Sequence, residues 1–335
     1  MDRPNGQTIF LAASIVGGLA LLGGLAVMYE KQGLAGNPNA QARAVTLTDI
    51  PFNGERAYGY LQQICKLGPR VSGSPGMLAQ QKLLIEHFQK LGGKVKLQQF
   101  RVRHPLDGSE VRMANLMVSW HPEKQERILL CAHYDTRPYP DQDRRNPRGT
   151  FIGANDGASG VALLMELSHR LAALDGKLGV DFVLFDAEEF VFDDNADIYF
   201  LGSEYFARQY AAKRLDCRYR YAVLLDMIGD ADLQIFEERN SVGTRNTRGL
   251  VQDIWATAAR LGVREFIPKP KHEIRDDHLP LRNTGGIAAI DIIDFDYPYW
   301  HTEGDTADKC SALSLAKVGW VIEEWLKQAV RGQNP

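Results

Sequence analysis

Cysteine is scarce in this chain of 335 residues. There are only four, Cys65, Cys131, Cys217 and Cys310, far apart and without a CxxC pair. That spacing excludes a thiolate metal site and a dense disulfide framework. Cys131, inside an apolar run, reads as a buried thiol, and one disulfide among the other three stays open. A surplus of one charge is also missing. With 39 Lys and Arg against 42 Asp and Glu, the net charge is −3, which offers no footing for nucleic acid. Repeats and low-complexity tracts are absent. The remaining composition, 44% hydrophobic and 24% charged, is ordinary for a globular chain long enough to bury a large core.

One long uncharged run does occur, at 9–28, rich in Leu, Ala, Gly, Ile and Val. At ~1.5 Å per helical residue it matches the roughly 30 Å hydrocarbon core of a bilayer. It predicts a single membrane anchor, followed by a polar linker to residue 44, with a domain at 45–332 on the extracytoplasmic side. The rival is a cleaved signal peptide and a secreted protein. Against it stand the length of the run and the distance to the first small-x-small site, Ala40-Gln41-Ala42.

From 57 onward, helical and strand patterns alternate. Helices are expected at 57–66, 77–91, 161–174, 204–213, 250–261 and 314–330. Strands are expected at 95–103, 113–120, 127–132, 180–185, 221–225, 233–236 and 287–293. The alternation predicts an α/β domain of three layers, a central, mostly parallel twisted sheet flanked by helices. Binding sites in such sheets lie beyond the carboxyl ends of the strands. The loop at 137–148, mixing Pro, Asp and Arg, reads as a solvated connection.

Polar groups gather at those strand ends. The strand Ile128-Leu129-Leu130-Cys131-Ala132 runs into His133-Tyr134-Asp135. The strand ending at Phe185 runs into Asp186, Glu188 and Glu189. Val223-Leu224-Leu225 ends in Asp226, and the last strand leads to Trp300-His301. Between the first two, Gly153 to Gly160 places Asp156 at the mouth of a helix. Two adjacent glutamates beyond a buried strand are costly unless a cation offsets one of them and leaves its neighbour free as a base. His133, His301, Asp156, Glu189 and Asp226 make a mixed N/O donor set that suits Zn²⁺, ahead of Mn²⁺ or Co²⁺.

The series His133-x-Asp135, Asn155-Asp156-Gly157-Ala158-Ser159-Gly160, Glu188-Glu189, Asp226 and His301 resembles the M28 zinc exopeptidase superfamily over about 45–330. For the two-zinc aminopeptidases, the resemblance implies that His133 and Asp226 hold different metals. Asp156 would bridge them, Glu189 and His301 would complete the shell, Glu188 would be the base, and Asp135 would orient His133. Four further features resemble the glutaminyl-peptide cyclotransferase branch, the glutaminyl cyclases. A stretch at 190–200 separates Glu188-Glu189 from Leu201-Gly202-Ser203. Arg275-Asp276-Asp277-His278-Leu279-Pro280 is similar to that branch's Asp-Asp-His-Ile-Pro. Trp300-His301-Thr302 matches its Trp-His-Thr, and the phrase from Cys131 to Pro138 is similar to its bacterial members.

That resemblance implies a zinc-dependent cyclase acting on peptide and protein N-termini, turning an N-terminal glutamine into pyroglutamate and ammonia. One zinc would sit on Asp156, Glu189 and His301, with an open position for substrate. Glu188 would move the proton, helped by Asp276 and Asp226. Trp300 and Ile274, with Phe295, Tyr297 and Tyr299, would wall the pocket. The alternative is an aminopeptidase with a second zinc on His133 and Asp226. A non-enzymatic binding domain is disfavoured because Glu188, the residue it would lose, is present.

Overall fold

The computed structural model describes residues 45–332. The expected anchor at 9–28 and its linker lie outside the described residues. Among the described residues no helix is long and apolar enough to cross a membrane.

In chain order the helices are α1 (Gly54–Cys65), α2 (Pro75–Lys90), α3 (Ala158–Leu171), α4 (Leu201–Ala211), α5 (Arg239–Gly243), α6 (Arg245–Leu261), α7 (His278–Asn283) and α8 (Ala312–Ala329). The strands are β1 (Lys94–Arg103), β2 (Glu110–Trp120), β3 (Glu126–His133), β4 (Gly179–Phe185), β5 (Arg218–Asp226), β6 (Ile235–Glu237), β7 (Phe266–Pro270) and β8 (Ala289–Ile293). Capping accounts for several starts. Ser74 accepts from Met77 N with Pro75 following it, and Ser311 accepts from Ser314 N, each satisfying an otherwise orphaned amide.

Six strands form the main sheet in the order β1-β2-β4-β3-β5-β8, and β6 pairs with β7 apart from it. β4, β3, β5 and β8 run parallel, while β1 and β2 join antiparallel at one edge. The sequence explains the difference. β3 and β4 are buried almost throughout and apolar on both faces apart from the buried Arg127–Asp181 ion pair, as suits interior parallel strands. β1 alternates and carries Lys94, Lys96, Arg101 and Arg103, charges that protect an open edge.

Period-two alternation sorts each central strand between two cores. Ile128, Leu130 and Ala132 face a large core shared with α1, α2, α3, α6 and α8. Leu129 and Cys131 face a smaller one with Phe206 of α4 and Leu281 of α7. The result is the expected three layers. Cys131 is fully buried, and burial pushes its thiol well above the usual range. All four cysteines are free thiols. β3 feeds α3 on one face while its neighbour β4 feeds α4 on the other, so a crevice opens beyond their carboxyl ends.

Candidate active site

Close packing and a bent backbone bring the strand-end residues together. Gly160 lies against β5, where a Cβ would stand 2.2 Å from Leu225 O. Gly157 has φ +86°, and a Cβ there would come within 2.9 Å of His133 Cε1. Four non-glycine residues also adopt left-handed backbone at the site: Ala187 (φ 58°), Phe200 (φ 61°), Met227 (φ 44°) and His301 (φ 53°). Strain concentrated in this way marks positions held by their surroundings. At Ala187 it turns the chain sharply after β4 and sends Glu188 and Glu189 in different directions.

Asp156 sits between the two histidines. His133 Nε2 is 3.1 Å from Asp156 Oδ1 and 3.2 Å from Asp226 Oδ1. His301 Nε2 is 2.8 Å from Glu189 Oε1 and 3.6 Å from Asp156 Oδ2. All five residues are buried. The donor atoms of Asp156, Glu189 and His301 lie within 4.8 Å of one another, as do those of His133, Asp156 and Asp226.

This set fits a divalent cation. Asp156 Oδ2 is buried without a hydrogen-bond partner, a state a buried carboxylate rarely keeps. Burial, and then the charge of Glu189, push Asp156 up to about 6. Burial opposes a charge on His301, yet hydrogen bonds to Asp141 and Glu189 outweigh it and push the imidazole up to about 9. The cage therefore stabilises positive charge, and its nitrogen and oxygen donors are those zinc takes.

Glu188 and Asp276 line the same cavity of about 360 Å³, together with Asp226, Ile274, Phe295 and Trp300. Burial pushes both carboxyls well above the usual range. His133 counters it at Glu188, while Glu189 and Asp276 add to it; at Asp276, Asp226 and Asp277 add to it. Trp300 stacks on His301 with ring centroids 3.9 Å apart and 28° between planes, and Phe295 packs beside it. A larger groove, about 810 Å³, opens at the start of β5 among Arg218, Arg220 and Arg282, and none of the candidate site residues lines it.

Several expectations need correction. Tyr297 and Tyr299 do not wall the cavity. Tyr297 turns inward and donates to Asp305 Oδ1 at 2.7 Å, and Asp305 accepts from the amides of Asn155 and Asp156. Asp135 Oδ1 faces His133 Nδ1 at 3.7 Å, an ion-pair distance. Its oxygens also accept from Glu188 N (3.2 Å) and Glu189 N (3.0 Å). The 137–148 loop is not a merely solvated connection. Arg137 is buried, and Asp141 lies 3.1 Å from His301 Nδ1.

Sequence reasoning missed Arg137, Asp141 and Asp305, and also Tyr199 and Phe200, which bring aromatic surface from the 190–200 loop. The loop's ends are pinned by Phe200 N donating to Glu188 O and Leu201 N to Ala187 O. Position within four residues of His133 or His301 is the one sequence signal Arg137 and Asp305 offered.

The model of peptidase family M28 matches residues 115–326. The chain belongs to this family, in its glutaminyl cyclase branch. The glutaminyl cyclase of Fimbriiglobus ruber is 40% identical, with a TM-score of 0.79 over 83% of this chain and 95% of that one. The bovine glutaminyl-peptide cyclotransferase is 23% identical over 76% of each chain. A leucine aminopeptidase precursor from Bacteroides thetaiotaomicron is 30% identical, with a TM-score of 0.77 over 84% of this chain and 98% of that one.

Proposed function

We propose that this M28 protein is a zinc-dependent glutaminyl-peptide cyclotransferase, which converts the N-terminal glutamine of peptides and proteins to pyroglutamate and releases ammonia. The observation that carries the reading is the cavity itself. Two protonatable carboxyls, Glu188 and Asp276, share a space of about 360 Å³ with the Asp156, Glu189 and His301 cage and the exposed edge of Trp300. That volume suits one folded glutamine side chain.

Asp156, Glu189 and His301 would hold the zinc, which when bound would supply Lewis-acid polarisation for the substrate's γ-carboxamide carbonyl. The nucleophile is the substrate's own α-amine, so the chain's main task is to fold the glutamine until amine and carbonyl meet. Trp300, Ile274 and Phe295 hold the methylene segment and exclude water. Glu188 accepts a proton from the attacking amine. As the new C–N bond forms and the old one breaks, Glu188 returns the proton to the departing ammonia. Asp226 and Asp276 stabilise the positive charge on nitrogen during this transfer.

The second group, His133 with Asp156 and Asp226, supports a two-metal aminopeptidase as the alternative. Full-length protein in detergent, supplied with zinc, separates the two. A Gln-initiated and a Leu-initiated peptide are followed in parallel by mass spectrometry. Loss of one ammonia from the first, with the second intact, is expected. Release of free leucine would overturn the cyclase reading.

A further inference from the structure

One side chain joins three parts of the site. Arg137 is 2% exposed and lies just past β3. Its backbone amide donates to Glu189 Oε2 at 2.9 Å, and its Nη1 stands 4.0 Å from Glu189 Oε1 with no hydrogen-bond partner. Nε and Nη2 grip both oxygens of Asp141 at 2.9 and 2.8 Å. Asp141 in turn lies 3.1 Å from His301 Nδ1, and Gln142 N donates to His301 O at 3.1 Å. On its far side, Nη2 meets Asp194, and at 3.3 Å the hydroxyl of Tyr199, both in the 190–200 loop.

We infer that Arg137 is a positioning residue that couples the 190–200 loop to Glu189 and His301. The inference rests on reading those two residues as zinc ligands. Arg137 reaches all three parties: its guanidinium meets the loop at Asp194 and Tyr199 and reaches His301 by way of Asp141, while its backbone amide donates to Glu189. Its planar fork can hold Asp141 with two bonds and still offer Nη2 to the loop, an arrangement a lysine ammonium cannot reproduce. Without the cation, Asp141, Asp194 and Glu189 would face one another as like charges, and loop and ligands would both shift. Zinc retention and loop order are then linked quantities: a metal that fixes Glu189 and His301 steadies the loop, and a fixed loop slows metal loss. The loop also brings Tyr199 and Phe200 to the cavity, so the same coupling sets the substrate wall.

The test measures amide hydrogen exchange across 190–200 with and without zinc, and zinc loss to a chelator, in the full-length protein. Wild type is expected to show zinc-dependent protection of the loop. In Arg137→Gln that protection disappears, and zinc leaves about 10- to 100-fold faster. Arg137→Lys keeps the charge but loses the fork, and Asp194→Asn alters the half-exposed end of the contact. Both are expected to lose most of the protection, which keeps the idea testable if Arg137→Gln does not fold. Wild type that binds zinc, with variants protected to the same extent, overturns the coupling alone. Wild type that takes up no zinc overturns the metal reading, and the coupling with it.

Discussion

A carboxylate two residues after a histidine is a natural partner for that imidazole, and Asp135, 3.7 Å from His133 Nδ1, also accepts from the amides of Glu188 and Glu189. Two adjacent glutamates that follow a left-handed residue need their amides fixed. Fixing those amides lets Glu189 face His301 while Glu188 faces the cavity. The two acids should therefore respond differently to loss of charge. Glu188→Gln is expected to lower kcat by about a hundred- to ten-thousand-fold while zinc content, read by atomic absorption, stays at the wild-type level. Glu189→Gln should lose the metal as well. Equal zinc loss in both variants would refute the division of roles.

Elements were legible where burial imposes a long pattern. β3, β4 and β5 carry apolar runs that fit only a buried sheet, and their ends carry three of the five donors, His133, Glu189 and Asp226. α5, β7 and α7 have five, five and six residues, too few turns or alternations to show a period, and all three escaped the sequence. Arg137 and Asp141 were misread for a related reason: Pro, Asp and Arg look alike in a solvated loop and in a buried ion network, and only the packing separates them. The short elements still matter to the site. Glu238 caps α5, accepting from Asn240 N and Ser241 N, and it also accepts from Ile274 N, so it anchors the segment that leads to Asp276. Burial works against its charge, but His278 and these amides hold it down at about 2, against an ordinary 4.5. A depressed carboxyl stabilises the fold above its unfolded value, and the contribution fades as pH falls from about 4.5 toward 2. Zinc-free Glu238→Gln should thus be less stable than zinc-free wild type by about 2 kcal/mol at pH 7. The gap should narrow steadily in urea titrations as pH drops below 4.5. A gap that is constant with pH would remove the charge from the explanation.

Across the whole molecule, the sheet's carboxyl end gathers Asp156, Glu188, Glu189, Asp226 and Asp276 around one cavity, with Asp277 and Asp291 buried nearby. Such a cluster opposes folding, because like charges in a low-dielectric space repel or must take up protons. The apolar cores on either side of the sheet outweigh that cost, and a divalent cation would reverse part of it. Function and stability therefore pull in opposite directions at Asp156, the acid placed between the two histidines. A zinc ion held by this cage would favour the folded chain over the unfolded one. At a hundredfold excess over its dissociation constant it should add about 2.7 kcal/mol, raising Tm by roughly 5–10 °C for a domain of this size. Asp156→Asn removes one buried charge and one donor. Its zinc-free Tm should equal or exceed that of zinc-free wild type, while added zinc should shift it little. Calorimetry of the two proteins with and without zinc checks both signs at once. If zinc-free Asp156→Asn melts well below zinc-free wild type, Asp156 is a structural carboxylate whose bonds to its neighbours outweigh the repulsion. If instead the variant matches wild type without zinc and falls behind it with zinc, the site is a metal cage built at the expense of the fold that carries it.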